Sequence, residues 1–496
     1  MNNSSGVLHV RREVRSLGPG DQTLPRYADA IAEMQKGAEE TDPISWLFQA
    51  AMHGTENKPT SKLAQEFWNK CNHGSWYFVS WHRMYVYFFE EIVRSYIVKL
   101  HGQQAGDEWA LPYWNYCRGG EFASIPDAFR PETVGGKTNP LFVKQRRPGI
   151  NQGLQMPGTM TESNRALARP HFIGTAEFGG GEAPPNEQFW RQGGVLEQTP
   201  HNSVHGGVGG SGWMGNILQA AKDPIFWLHH ANIDRIWSQW LAQPQPKREN
   251  PSSPKWTGQH FKFLNAEGKP ASLDCEEVTG TEKLGYKYDA LDGVPSGPPP
   301  PPSPSPVPIP EGEAAVPASV DPPTGPKFVG LSEKKVTLTG EPEAIPVEID
   351  ERSRDEVREA SRKADPRHLY LNIEDIEGEE NPGTVYGIYV NLPKGADEET
   401  KAKHHVGNVS FFGIELAGKP VDDEHPHNMR VSVEVGELLR VLGGGEHFAE
   451  EQIYVTFCPL TLEAPEGKEE EYAHLTAEPK DEAPIHIGRV SLAIDA

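Results

Sequence analysis

The stretch CNHGSWYFVSWHRMYVYFFEEIVRSYIVKL (Cys71–Leu100) sets the character of the front half of this 496-residue chain. From Trp76 to Leu100 it is mainly apolar, interrupted by His82, Arg83, Glu90, Glu91 and Arg94. Such charges are costly in a bilayer, so the run reads as a helix buried in protein, from Ser75 to Leu100. It carries His82, and His73 precedes its start. A second helix is expected from Pro224 to Trp240, because Asp223 is placed to cap it and Pro224 suits a first turn. Between the two, Glu121 to Gly194 is rich in Gly, Pro and Asn and reads as long loops around a mainly helical core.

Toward the C-terminus the composition changes twice. Gly293 to Lys327 is dominated by Pro, Gly and Ser and reads as an extended, semi-rigid linker. After it come seven short runs rich in β-branched and aromatic residues, at 334–340, 368–374, 384–393, 406–416, 429–435, 453–457 and 486–494. They predict an all-β sandwich. The expected organisation is therefore a catalytic domain over 1–292, a linker over 293–327 and a β-domain over 328–496.

The formal charge of −23 argues against nucleic acid or an anionic membrane surface as a partner. The N-terminal residues lack the apolar run of a secretory signal, which predicts a cytoplasmic protein. Four scattered cysteines (Cys71, Cys117, Cys275 and Cys458) give no disulfide framework and suit a reducing compartment.

The histidines carry the chemistry. Nineteen are present, and eight of these follow residue 327, where His404 and His405 read as ordinary polar residues. In the front half His53, His73 and His82 form one set, and His201, His205, His229 and His230 another. His201 and His205, four apart, would share one helix face about 5–6 Å apart, a chelating distance. His229 and His230 differ by about 100° around a helix, so at most one faces the same ion. Asp234, four after His230, is placed to accept that ring's second N–H and so favours His230 as the ligand. Imidazole-only sets suit copper, while zinc is not excluded by spacing.

Two motifs then carry a resemblance. H-x4-F-V-x-W-H-R-x2-V-x3-E (His73–Glu90) and D-P-x-F-W-x2-H-x3-D (Asp223–Asp234) resemble the paired copper signatures of tyrosinases, catechol oxidases and haemocyanins, the type 3 copper proteins. The resemblance implies a four-helix bundle holding two copper ions, one on His53, His73 and His82 and the other on His201, His205 and His230. It implies phenolic substrates oxidised with O2: a tyrosinase, with a catechol oxidase or an oxygen carrier as alternatives. It further implies a Cys71–His73 thioether, and a water held by Glu197 and Asn202 that takes the phenol proton. Ile217 and Gly206 fall at positions where a larger residue would narrow the mouth of the site. Tyr286-Lys287-Tyr288 resembles the motif that closes the catalytic domain, with Arg11 or Arg12 stacked on it. The tail resembles the domain that shields the site in latent polyphenol oxidases until the linker is cut. The missing N-terminal disulfides and transit peptide of plant members point to a bacterial type.

Overall fold

The computed structural model describes residues 8–184, 192–291, 326–332, 334–362, 368–416, 429–443, 451–475 and 483–495. The expected linker lies almost wholly outside them. Five helices position the site: α1 (Thr23–Met34), α2 (Trp46–His53), α3 (Phe78–His101), α4 (Ser203–Gly209) and α5 (Ile225–Leu241). Ser45 caps α2 by accepting the Phe48 N–H. Asp223 accepts the Ile225 N–H at 3.0 Å at the start of α5, while the Arg146 guanidinium holds its carboxylate at 2.7 and 2.8 Å. The buried faces of α3 and α5 meet through Phe89 and Trp227, whose rings stack at 3.4 Å, with Tyr85 beside them. Residues 121–194 are, where described, mostly loops and single turns, as their composition implies.

The ends of the catalytic domain are tied together. β1 (His9–Arg11) runs parallel to β2 (Tyr286–Tyr288). Of the two arginines named as candidates, Arg11 stacks on Tyr286, 3.7 Å from the ring centre, whereas Arg12 turns to Asp21. Arg11 is fully buried and pairs with Glu90 of α3 at 2.5 Å and Asp234 of α5 at 3.2 Å.

The tail is all-β with short helices between strands. Its strands are β3 (Lys327–Ser332), β4 (Val336–Leu338), β5 (Glu343–Ile349), β6 (Leu369–Glu377), β7 (Val385–Val390), β8 (His405–Val409), β9 (Met429–Glu434), β10 (Gln452–Leu460) and β11 (Ile485–Ile494). They form one sheet in the order β8-β7-β10-β5-β3-β11-β6-β9, with β4 also on β11. The sheet curls until its end strands approach: a methyl group placed on Gly407 of β8 would lie 2.7 Å from Val433 of β9. The interior of this near-barrel holds Val, Ile and Leu at alternate positions, including Val347, Ile373, Val455 and Leu492. All seven strand-forming runs read from the sequence supply strands, and β3 and β5 join them.

One face of this domain is sunk into the other. Val385, Phe412, Leu460 and Leu462 pack with the apolar core of the catalytic domain. Backbone groups of Gln155 and Glu463 exchange two hydrogen bonds of 2.8 Å across the boundary.

Candidate metal centre

Four helical elements bring the histidines together. His53 ends α2, His82 lies in the second turn of α3, His205 lies in α4, and His229 and His230 lie in α5. His201 belongs to a wider helical turn, Glu197–Asn202, that runs directly into α4. Thr199 breaks that turn with extended angles (φ −144°, ψ 123°), as expected of a residue that precedes a proline. His73 stands in the loop before α3. All seven rings are buried.

The seven rings form one continuous cluster, in which His229 lies 4.8 and 5.3 Å from His205 and His201. His53, His73 and His82 have mutual centroid distances of 5.0 to 5.6 Å. His201 and His205 are 4.6 Å apart, and His230 is 5.0 and 5.6 Å from them. The two sets face one another, with His82 stacked on His230 at 4.5 Å.

Hydrogen bonding fixes the tautomers. His53 Nδ1 donates to the Ile217 carbonyl (3.1 Å), His82 Nδ1 to that of Phe78 (2.8 Å), His205 Nδ1 to that of Met214 (2.7 Å) and His201 Nδ1 to Asn202 Oδ1 (2.8 Å). Each Nε2 is then a bare lone pair. Nε2 of His53, His82 and His201 is buried without a protein partner, and Nε2 of His205 faces Nε2 of His230 at 3.4 Å. Burial holds the pKa of His53 and of His201 down at about 3, so both are neutral near pH 7. Buried lone pairs with no donor are costly, and neutral imidazoles converging through Nε2 are the donor set of a soft-to-borderline divalent metal. The residues present therefore fit a copper pair.

Three expectations about individual residues are sharpened or corrected. Asp234 does not orient His230. Its carboxylate is taken by Arg11, Arg83, Tyr286 and Tyr288, and His230 Nδ1 has no protein partner. The i, i+4 spacing placed Asp234 on the right helix, but two guanidiniums and two phenols from other elements reach it first. His229 also lies in the cluster: one ring nitrogen from each of His201, His205, His229 and His230 falls within 4.8 Å of the others. Distance alone does not choose between the adjacent histidines. Cys71 is a buried free thiol, and its Sγ lies within 4.8 Å of a ring nitrogen of both His53 and His73.

Glu197 is buried beside the cluster. Its Oε1 accepts the Gly74 N–H at 2.7 Å, its Oε2 has no protein partner, and burial raises its pKa to about 8. Ile217 and Gly206 border the site and are covered by the tail. A methyl group on Gly206 would lie 2.5 Å from Val385 and 3.1 Å from Ser410 Oγ, and one on Gly413 would meet Ile217 at 3.6 Å. Phe412 was not foreseen. Its ring stacks on His205 at 3.9 Å and lies 5.7, 5.8 and 6.5 Å from His201, His73 and His53. Gly413, at φ +93°, permits the turn beside it, so the triplet Phe411-Phe412-Gly413 is the signal the sequence offered.

Comparison with known proteins agrees with this geometry. Residues 43–181 and 175–243 match the family model described as the common central domain of tyrosinase, and residues 326–494 match one described as a domain of unknown function (DUF7868). The tyrosinase HcTyr1 of Hahella sp. (strain CCB-MM4) is 30% identical over 98% of this chain and 99% of its own length. The chain belongs to the tyrosinase family. Aureusidin synthase of Antirrhinum majus is 26% identical over 92% of this chain and 79% of its own. The structure of latent apple tyrosinase superposes with a TM-score of 0.59 at 20% identity, covering 99% of this chain and 98% of that one, which shows the shared two-part fold. Members of the tyrosinase and polyphenol oxidase family are copper oxidoreductases that act on phenols with O2, and this chain carries their dicopper type of site. Among the described residues no helix is long and apolar enough to cross a membrane.

Proposed function

We propose that the chain is a latent tyrosinase, hydroxylating monophenols to o-diphenols and oxidising these to o-quinones. His53, His73 and His82 hold one copper, and His201, His205 and His230 the other. When bound, the copper pair supplies the activation of O2 and the two-electron redox chemistry. The remaining work belongs to side chains of this protein. Backbone carbonyls and Asn202 hold four imidazoles in the ligating tautomer, and the surrounding apolar residues keep bulk water out. Glu197 is the proton acceptor for the monophenol, directly or through a water. Its raised pKa lies close to neutrality, where a general base is most effective. Ile217 and Gly206 leave room for the ring once Phe412 is withdrawn.

The observation that carries this reading is the buried Glu197 carboxylate with one oxygen uncommitted next to the histidines. One observation favours the alternative, a catechol oxidase: Asn202 Oδ1 is engaged by His201 rather than by Glu197. Oxygen uptake with a monophenol and no diphenol starter decides, measured on protein freed of its tail. Glu197→Gln should lower monophenol turnover by roughly 10²- to 10⁴-fold, the range a positioned base contributes, and catechol oxidation far less. A wild-type protein that consumes oxygen with catechols alone would replace tyrosinase by catechol oxidase.

A further inference from the structure

The strand that leads to Phe412 begins with a histidine buried between the two domains. His405, the first residue of β8, has both ring nitrogens committed. Nε2 lies 2.8 Å from Asn408 Oδ1, which only accepts, so Nε2 carries the proton. Nδ1 lies 2.9 Å from Arg165 Nη2, which only donates, so Nδ1 is a bare lone pair. The Asn408 orientation is fixed in turn, because its Nδ2 donates to the Thr159 carbonyl at 2.6 Å and to Ser203 Oγ at 3.1 Å. Arg165 belongs to the catalytic domain and also donates to the His405 carbonyl at 2.7 Å. Two residues beyond Asn408, Ser410 Oγ donates to the Asn202 carbonyl at 2.7 Å, and Phe412 then enters the imidazole cluster.

We propose that His405 is an acid-sensitive latch on the shielding domain: a proton on Nδ1 aims an N–H at the Arg165 guanidinium, breaks the cross-domain contact and releases the strand that carries Phe412. The docked arrangement accepts one tautomer of the neutral ring and has no place for the cation. An imidazolium buried at His405, 2.9 Å from the half-buried Arg165 guanidinium, is a like-charge pair only partly screened by solvent. Burial first, and the Arg165 charge second, push His405 down to about 3 while docked. An undocked, solvated histidine titrates near 6.5. The docked state therefore keeps its full advantage above about pH 6.5 and loses it as pH falls toward 3, by up to about tenfold per pH unit.

The other groups around the latch are few. The Tyr389 ring packs on His405 at 5.2 Å, with its hydroxyl pushed up to about 12 by burial, and neighbouring His404 turns its Nδ1 to the Val390 carbonyl. Glu162 pairs with Arg165 at 3.3 Å, and Arg169 and Glu434 are the remaining charges felt by Arg165. Glu162 is the competing carboxylate, and a variant separates it.

The latch rests on reading the tail as a shield, and its test does not depend on activity alone. The full-length, copper-loaded protein is held between pH 7.5 and 4.5, then returned to pH 7 and assayed at once on a catechol. Amide hydrogen exchange of residues 405–412 is followed at each pH. Exchange, corrected for the intrinsic pH dependence of amide exchange, and initial rate should rise together below about pH 6.5, several-fold to about tenfold per unit. His405→Gln, neutral throughout, should stay flat, and Glu162→Gln should respond like wild type. An unchanged acid response in His405→Gln overturns the proposal. Should that variant fail to dock at pH 7.5, the wild-type profile still decides, since a 405–412 segment unmoved down to pH 4.5 also overturns it. A protein that oxidises no catechol in any state refutes the phenol oxidase reading instead, and hydrogen exchange continues to judge the latch.

Discussion

At the scale of single residues, adjacent His229 and His230 pose the sharpest question. Both rings lie in the cluster, and helix geometry alone says that they point about 100° apart. His230 Nε2 faces His205 Nε2 at 3.4 Å and its ring stacks on His82 of the opposite set, which places it between the two groups. His229 lies over His201 and beside Tyr116, away from the first set. Metal analysis after exhaustive dialysis should therefore find about one copper per chain in His230→Ala and about two in His229→Ala. The reverse result would exchange their roles. Spacing marked two histidine sets because imidazoles four apart on a helix share a face, whereas the six proposed ligands, His73 in its loop among them, came from the motif resemblance. It misjudged Asp234 because sequence interval fixes a helix face and says nothing of what reaches that face from elsewhere. Arg11, 223 residues away, does so.

At the scale of elements, that same arginine is the tie between β1, β2, α3 and α5. Its guanidinium meets Glu90, Asp234, Tyr288 and the face of Tyr286, all buried. Removing one partner of a buried ion pair leaves uncompensated charge, at about 3–5 kcal/mol. Arg11→Leu should lower the chemical denaturation midpoint by that equivalent while leaving the histidines in place. A loss under about 1 kcal/mol would mean that Arg83 alone satisfies Asp234. The long helices were readable because their apolar runs exceed any strand. β5 was not, since Pro346 interrupts EAIPVEI, and β3 was hidden where the linker composition gives way at Lys327. Both are accommodated by tertiary pairing: β3 to β11 and β5, and β5 to β10.

At the scale of the whole molecule, the linker and the shield are separable devices. Covalent connection runs through residues 293–325, but what holds Phe412 in place is the interface itself. That interface comprises the Gln155–Glu463 backbone pair, Arg147 donating to the Leu460 carbonyl, Asn381 donating to the Gly215 carbonyl at 2.7 Å, the Arg165–His405–Asn408 links and four buried apolar side chains. Gly206 lets Val385 approach α4 closely, so the absence of a side chain there lets the tail seat. None of these contacts crosses the linker. Each fully buried apolar side chain contributes about 1.5–3 kcal/mol on docking, and four of them outweigh the modest entropy gained when a long flexible loop is cut. Proteolysis confined to 293–325 should therefore leave both pieces eluting together from a sizing column at pH 7.5, with catechol oxidation within about twofold of the intact chain. Activity should rise several-fold only when the pieces are then parted, by acid or by mild denaturant. A nicked protein that separates and becomes active at once at neutral pH would show that the linker, rather than the interface, is what maintains the closed state.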